Sequence, residues 1–284
     1  FTAEDAALLS ANPSQVGHGT IQARPDGGFV WAMALESSGA GALRVHIGGL
    51  KLPEDADLYF FSPEGQAFGP YSGKGPNGSG DFWTNTIIGS KGVVQLRYYG
   101  PNAAEDLKGV SFVVSEVGHI GPKFSKGLTP VTESFCSFNV PCIENATCHT
   151  GTPADPAKSA VALMQWIDGQ FIYTCTGGLL NDTVSATQIP YFLTANHCLS
   201  TNTNAANLEL YFQFTLGCGQ TNCPAQTNPG GIQRLGATVK ATGTGGDFTL
   251  LQLNQTPPAG SVFLGWNSAP VANTNNHPLW RISH

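Results

Sequence analysis

The chain has 284 residues, long enough for two domains, and its 13 basic and 19 acidic residues give a net charge of -6. This acidic balance, without a cluster of Lys or Arg, argues against nucleic acid as a partner, and no apolar run approaches the length of a membrane-spanning helix. Charged residues make up only 11% while Gly number 35 and Pro 19, a composition typical of an all-β secreted protein with many turns.

Short strands separated by Gly-, Pro- and Asn-rich turns are predicted for residues 1–120. Residues 1–16 are weakly amphipathic and predict a short helix or an ordered tail. Alternation in the next part places Leu43, Val45 and Ile47 on one face of a strand. The pattern indicates an antiparallel β-sandwich of jelly-roll type. Its strands are predicted at residues 29–35, 42–47, 58–61, 82–85, 93–99 and 110–114.

The aromatic residues of this region allow two interpretations. They could stack on sugar rings, as in carbohydrate-binding sandwiches, or fill the core, and the core is favoured because they lie within strand-like runs. Asp57 and Asp81 belong to no dense carboxylate loop of the kind that binds calcium, so no metal or cofactor is expected. The aromatic residues concerned are Trp31, Trp83, Tyr98 and Tyr99.

A Gly- and Pro-rich linker is predicted at residues 121–134, between domains of residues 1–120 and 135–284. Lys123 and Lys126 are candidate processing points within it. No signal peptide is visible at the start of the chain, so any such leader is expected to have been removed.

All seven cysteines fall between Cys136 and Cys223, which leaves the first domain without any. Clustering of this kind predicts a disulfide-stapled domain from an oxidising compartment. Zinc is the alternative, with Cys142, Cys148 and His149 as ligands, but no Cys-x-x-Cys or His-x-x-x-His pair supports it.

The second domain is predicted to form one Greek-key barrel of about six strands. A hairpin joins residues 161–164 to 171–175, and further strands follow at residues 208–214 and 236–241. Tyr191-Phe192-Leu193 is predicted as a buried strand that ends just before His197 and Cys198. A histidine at a strand end, beside a disulfide, has the fixed orientation that a general base needs. Asp247 opens a final apolar strand.

These segments resemble the trypsin-like serine endopeptidases, most closely the secreted bacterial branch that includes lysyl endopeptidases. Residues 175–181 match C-T-G-x-L-x-N, residues 191–198 match Y-F-L-T-A-x-H-C, and residues 247–253 match D-F-T-L-L-x-L, in the family's order. The resemblance implies a chymotrypsin-like fold of which residues 135–284 carry the first of two barrels. It implies that His197 is the general base and Asp247 its orienting partner in a Ser-His-Asp triad.

The same resemblance implies disulfide pairings. The family has bridges at the positions of Cys175 and Cys198 and of Cys142 and Cys218, which leaves Cys148 and Cys223 as an additional pair. The family counterpart of Cys136 bridges to the second barrel, so Cys136 is expected to be unpaired within this chain.

The first domain resembles the domain that precedes these proteases, on short motifs such as Ala42-Leu43-Arg44-Val45 and Phe82-Trp83-Thr84. This implies a pro-domain, a folding assistant or a substrate-binding module.

The expected function is that of a secreted serine endopeptidase precursor, a zymogen acting on protein or peptide substrates without a cofactor. No Gly-x-Ser-Gly segment follows Asp247, and Gly78-Ser79-Gly80-Asp81 lies in a turn of the first domain. The serine is therefore expected in a C-terminal barrel, on a second chain or a further segment, and the 284-residue chain is expected to be inactive alone. Two alternatives are a non-catalytic protease-like binding protein and a carbohydrate-binding module with a degenerate protease domain.

Overall fold

The computed structural model describes residues 10, 12–121, 144–184, 186–219, 231–269 and 279–284. These fall into two compact units, one from the residues up to 121 and one from residue 144 onward. Both units consist of strands with only short helices, which confirms the all-β class. Within the described ranges no helix is long and apolar enough to cross a membrane.

Two antiparallel sheets form the first unit, as expected for a sandwich. One has the strand order β1-β2-β3-β9-β5-β6, and the other has the order β10-β4-β7 with β8 also paired to β4. A short helix α1 (Ala103–Asp106) and a 3-10 turn (Leu107–Gly109) precede the last strand. The strands are β1 (Ser14–Val16), β2 (Gly19–Ala23), β3 (Phe29–Glu36), β4 (Ala42–Lys51), β5 (Ala56–Phe61), β6 (Ala67–Ser72), β7 (Phe82–Trp83), β8 (Ile87–Ile88), β9 (Lys91–Tyr98) and β10 (Ser111–Ile120).

Aromatic residues join the two sheets of the first unit. Trp31 of β3 meets Phe112 of β10 with ring centroids 5.3 Å apart. The predicted core role is confirmed for three aromatic residues, since Trp31, Trp83 and Tyr98 are 5%, 6% and 0% exposed. Tyr99 differs, with 49% of its surface exposed. Three of the four side chains considered for sugar stacking are therefore buried.

The start of the first unit differs from the sequence prediction. Residues 14–16, expected to belong to a short helix or an ordered tail, form strand β1, and the strand β2 that follows was not predicted. The indole N–H of Trp31 donates a hydrogen bond to the Val16 carbonyl at 3.0 Å. A Cβ at Gly19 would lie 2.6 Å from the Trp31 ring, so only glycine fits there. A long-range contact thus holds strands that local patterning does not indicate.

A seven-stranded antiparallel sheet forms the second unit, in the order β15-β14-β11-β12-β13-β17-β16. Short helices α2 (Ala154–Ala157) and α3 (Asn202–Ala206) and 3-10 turns (Ala146–Cys148 and Lys158–Ala160) lie outside it. The strands are β11 (Val161–Asp168), β12 (Phe171–Leu180), β13 (Tyr191–Thr194), β14 (Glu209–Phe212), β15 (Ile232–Leu235), β16 (Ala237–Gly243) and β17 (Phe248–Leu253).

The two outer strands of this sheet, β15 and β16, are joined by the single residue Gly236, which has a φ of +74°. A sheet whose outer strands are consecutive in the chain has to curl towards closure, as in a barrel. The Gly236 N–H donates to the Leu208 carbonyl, and the Gly236 carbonyl accepts from the Asn254 amide. These bonds connect the β15–β16 junction to the residue before β14 and to the residue after β17. The buried side chains inside the curl include Met164, Leu179, Phe192, Leu210, Phe212 and Leu251.

Of the predicted disulfides, the one between Cys175 and Cys198 is confirmed. The pairings Cys142–Cys218 and Cys148–Cys223 are wrong, because Cys148 is bonded to Cys218. The physical reason lies beside the bridge, where Asn145 Nδ2 donates to the Gly217 carbonyl at 3.0 Å and Thr147 Oγ1 donates to the Leu216 carbonyl. These bonds align Cys148 with Cys218. Cys136, Cys142, Cys223 and the linker beyond Gly121 lie outside the described residues.

Candidate active site

The strand that leads to His197 runs through the centre of the second unit. β13 pairs with β12 on one side and with β17 on the other, with Phe192 opposite Leu179 and Leu251. All three side chains are fully buried. A Cβ at Gly177 would lie 2.2 Å from the Phe192 ring, so β12 approaches this ring without a side chain in between. The close approach fixes the strand end from which His197 projects.

The turn after β13 is anchored on both sides of His197. Before it, Thr194 Oγ1 donates to the Thr176 carbonyl at 3.0 Å. After it, the amides of Cys198 and Leu199 both donate to the Ala195 carbonyl, at 3.2 and 3.3 Å. The Cys175–Cys198 disulfide joins the same turn to β12. The backbone that carries His197 is therefore held by hydrogen bonds and by a covalent link.

Asp247 lies in the turn between β16 and β17. Its amide donates to the Thr244 carbonyl at 3.2 Å, and its φ is +46°, in the left-handed region that few non-glycine residues adopt. Asp is among the residues that tolerate this conformation. The turn places the Asp247 carboxylate at the end of β17, and β17 pairs with β13 in the register Thr249 opposite Thr194.

Both oxygens of the Asp247 carboxylate contact His197. Oδ2 lies 2.6 Å from Nδ1 of the imidazole, and Oδ1 accepts the backbone N–H of His197 at 2.9 Å. The His197 backbone N–H and then its imidazole hold the pKa of Asp247 below the usual range of a carboxyl. A carboxylate at Nδ1 selects the tautomer that leaves the lone pair on Nε2. The side chains of His197 and Asp247 are 72% and 51% exposed.

A network of hydroxyls and one amide supports this turn. Asn196 Nδ2 donates to Thr242 Oγ1 at 2.7 Å, and that hydroxyl lies 2.7 Å from Thr249 Oγ1. Thr249 is fully buried. The network links the residue before His197 to both strands that flank Asp247, and the sequence analysis did not anticipate it. Threonines at facing positions of β16 and β17 were the available signal.

The Nε2 atom of His197 makes no hydrogen bond to any described residue. With its lone pair directed outward, this nitrogen is able to take a proton from a hydroxyl brought to it. The ionised carboxylate at Nδ1 stabilises the imidazolium that results. The geometry thus suits a general base and leaves the position of the proton donor open.

One group of three potential metal ligands occurs among the described residues, and it overlaps this site. Ligand atoms of Cys175, His197 and Cys198 lie within 4.8 Å of one another. The two sulfurs are joined in a disulfide and offer no thiolate, which is the form of cysteine that binds metals. The zinc alternative considered at Cys148 meets the same difficulty, because that sulfur is bonded to Cys218.

The family described as lysyl endopeptidase, C-terminal domain, matches residues 133–284, more than half of the chain. The chain belongs to the lysyl endopeptidase family. A lysyl endopeptidase of Pseudomonas aeruginosa is 30% identical over 266 residues, which cover 88% of this chain and 54% of that protein. The chain thus spans about half the length of this relative.

Proposed function

We propose that this chain contributes the general base and its orienting acid to a secreted serine endopeptidase. His197 takes the proton of a serine that attacks a peptide carbonyl, and Asp247 holds the imidazole in the correct tautomer. The observation that carries the proposal is the double contact of the Asp247 carboxylate with the backbone and the ring of His197.

The serine nucleophile is proposed to come from outside the described residues. No described hydroxyl is hydrogen-bonded to Nε2 of His197, and no Gly-x-Ser-Gly segment follows Asp247 in the sequence. The 284 residues assayed alone are accordingly expected to show no peptide hydrolysis.

Secretion is supported by two disulfides among the described residues of the second unit, because such bridges persist in oxidising compartments. The role of the first unit as a pro-domain or accessory domain is part of the same proposal. It is supported by its separate fold, which contains no cysteine.

Kinetics of the complete protein test the proposal. We expect His197→Gln and Asp247→Asn to lower kcat, the latter by roughly ten-thousand-fold, since an amide at this position selects the wrong tautomer. His149→Gln is the matched control, because this histidine belongs to the same unit and pairs with Glu144 instead. Full activity in Asp247→Asn would overturn the assigned roles, and absence of any turnover in the unaltered protein would favour the non-catalytic binding protein.

Cleavage after lysine is proposed as the specificity, on the strength of the name that the family and the Pseudomonas relative share. Peptide anilides that differ only in lysine or arginine before the scissile bond measure it. A kcat/KM ratio well above unity in favour of lysine is expected. A ratio near unity would assign a broader trypsin-like specificity.

A further inference from the structure

The first unit contains a histidine whose imidazole is hydrogen-bonded to a carboxylate. His46 lies on β4, the central strand of the smaller sheet, with only 16% of its side chain exposed. Its Nε2 lies 2.9 Å from Oδ1 of Asp81. The Trp83 ring packs against the imidazole with centroids 5.2 Å apart, which limits its rotation. His46 is therefore oriented by an acid and an aromatic ring.

Asp81 ends the turn Gly78-Ser79-Gly80-Asp81, whose letters are similar to those of a serine nucleophile turn. The Ser79 hydroxyl here serves the backbone of Asp81, accepting its N–H and donating to its carbonyl, both at 2.9 Å. Asn77 Nδ2 donates to the same carbonyl at 3.0 Å. The turn thus holds the Asp81 carboxylate in place, and the Ser79 hydroxyl is occupied by hydrogen bonds to the Asp81 backbone.

The hydroxyl facing His46 belongs to Ser115 on the neighbouring edge strand β10. The pairing register of β10 with β4 shifts between Val114 and Glu116, which makes Ser115 the additional residue. Ser115 Oγ lies 2.6 Å from Nδ1 of His46 and 3.4 Å from the His46 carbonyl. The serine itself is exposed. A β-bulge of this kind redirects side chains, and this one places the exposed Ser115 hydroxyl within hydrogen-bond distance of the His46 imidazole.

These contacts set the direction of proton transfer. Because Asp81 accepts the proton on Nε2, Nδ1 carries the lone pair and accepts the Ser115 O–H. Glu116 Oε1, 4.0 Å from Nδ1, adds a second negative charge next to an imidazolium formed there. Serine, base and acid are thus joined in one hydrogen-bonded series, the arrangement that activates a serine nucleophile.

We propose that Ser115, His46 and Asp81 form a second nucleophilic site, at which Ser115 is modified by activated acyl and phosphonyl esters. In the reaction the Oγ–carbonyl carbon or Oγ–phosphorus bond forms as the bond to the leaving group breaks. The Oγ proton passes to Nδ1 of His46 and from there to solvent. All three residues belong to the first unit, whereas His197 belongs to the second.

The same strand provides a matched control. Ser37 Oγ lies 2.8 Å from Nδ1 of His119 on β10, and no carboxylate of the described residues is bonded to that histidine. Ser111, also on β10, donates to the Gly49 carbonyl at 3.1 Å, and no hydrogen bond joins it to a described histidine. Ser115 therefore has a histidine base supported by an acid, Ser37 has a histidine base alone, and Ser111 has neither.

The test is to treat the 284-residue chain with an alkyl fluorophosphonate and to follow each serine by peptide mass spectrometry. Ser115 is expected to be labelled about a hundred-fold faster than Ser111, the lower end of what a positioned general base contributes. His46→Gln should bring the rate down to that of Ser111, whereas His119→Gln should leave it unchanged.

Asp81→Asn tests the contribution of the Asp81 negative charge alone. This side chain is 64% exposed and asparagine has nearly the same size, so the fold should be preserved. We expect slower labelling of Ser115 with an unchanged circular dichroism spectrum. This variant also carries the test if His46→Gln does not fold. The proposal is overturned if Ser115 reacts no faster than Ser37 or Ser111, or if either Asp81→Asn or a folded His46→Gln labels at the original rate.

Discussion

Replacing Gly177 by alanine should destabilise the second unit through one added methyl group. The new Cβ would lie 2.2 Å from Cε1 of Phe192 and 2.6 Å from the Leu193 carbonyl oxygen. To reach an ordinary contact of 3.4 Å, the carbonyl has to move by 0.8 Å, and it belongs to the β12–β13 pair. The Phe192 ring is fully buried.

Overpacking of this kind costs typically about 1–3 kcal/mol, and the rigid backbone contact places Gly177→Ala near 3 kcal/mol. The adjacent Gly178 is the matched control, because the nearest atom to its Cβ is Leu264 Cδ1 at 3.4 Å. Gly178→Ala should be neutral or stabilise by about 0.5 kcal/mol, since alanine restricts the unfolded chain.

Hydrogen exchange followed by mass spectrometry suits this comparison, because a chain of two units does not unfold as one two-state system. Gly177→Ala should lower protection in peptides from β12 and β13 and leave peptides from the first unit unchanged. Equal protection in the Gly177→Ala and Gly178→Ala proteins would refute the close-approach argument.

Three other outcomes are expected. Replacing Cys175 and Cys198 by alanine should lower the free energy of unfolding of the second unit by about 3 kcal/mol, because the bridge spans 23 residues; hydrogen exchange of peptides from that unit measures this, and a loss below about 1 kcal/mol would contradict it. Phe192→Ala should cost about 3–5 kcal/mol by the same measurement, since the ring is fully buried. The lowered pKa of Asp247 stabilises the fold above the carboxyl's unfolded pKa of about 4, and this contribution is lost as the pH falls through the lower folded value. Carboxyl NMR should therefore show Asp247 titrating below an exposed aspartate, together with loss of His197 amide protection.

Much of the second unit could be predicted from sequence because its signals are local. The apolar run at residues 191–193 indicated a strand, and the structure has β13 at Tyr191–Thr194. The contact between His197 and Asp247, 50 positions apart, followed from a resemblance and not from any pattern within the chain. Periodicity identifies strands, whereas the pairing of β13 with β17 decides which strand ends meet.

The incorrect disulfide assignment shows what a resemblance does not determine. The resemblance implied a bridge between Cys142 and Cys218, which left Cys148 and Cys223 as a further pair. The observed partner of Cys148 depends instead on backbone carbonyls at residues 216 and 217, which accept from side chains just before Cys148. Hydrogen bonds of this kind leave no periodic trace in the sequence.

The pairs His197–Asp247 and His46–Asp81 show why residue types alone do not define a nucleophilic site. At His197 the acid makes two contacts, and Nε2 of the imidazole has no hydrogen-bond partner among the described residues. At His46 the acid makes one contact and the other nitrogen already has a serine. The first histidine is 72% exposed and the second 16%, because one projects from a turn and the other from a central strand. At the proposed second site an electrophile would reach the exposed Ser115 hydroxyl and not the largely buried imidazole, whereas at His197 the imidazole itself is open to solvent.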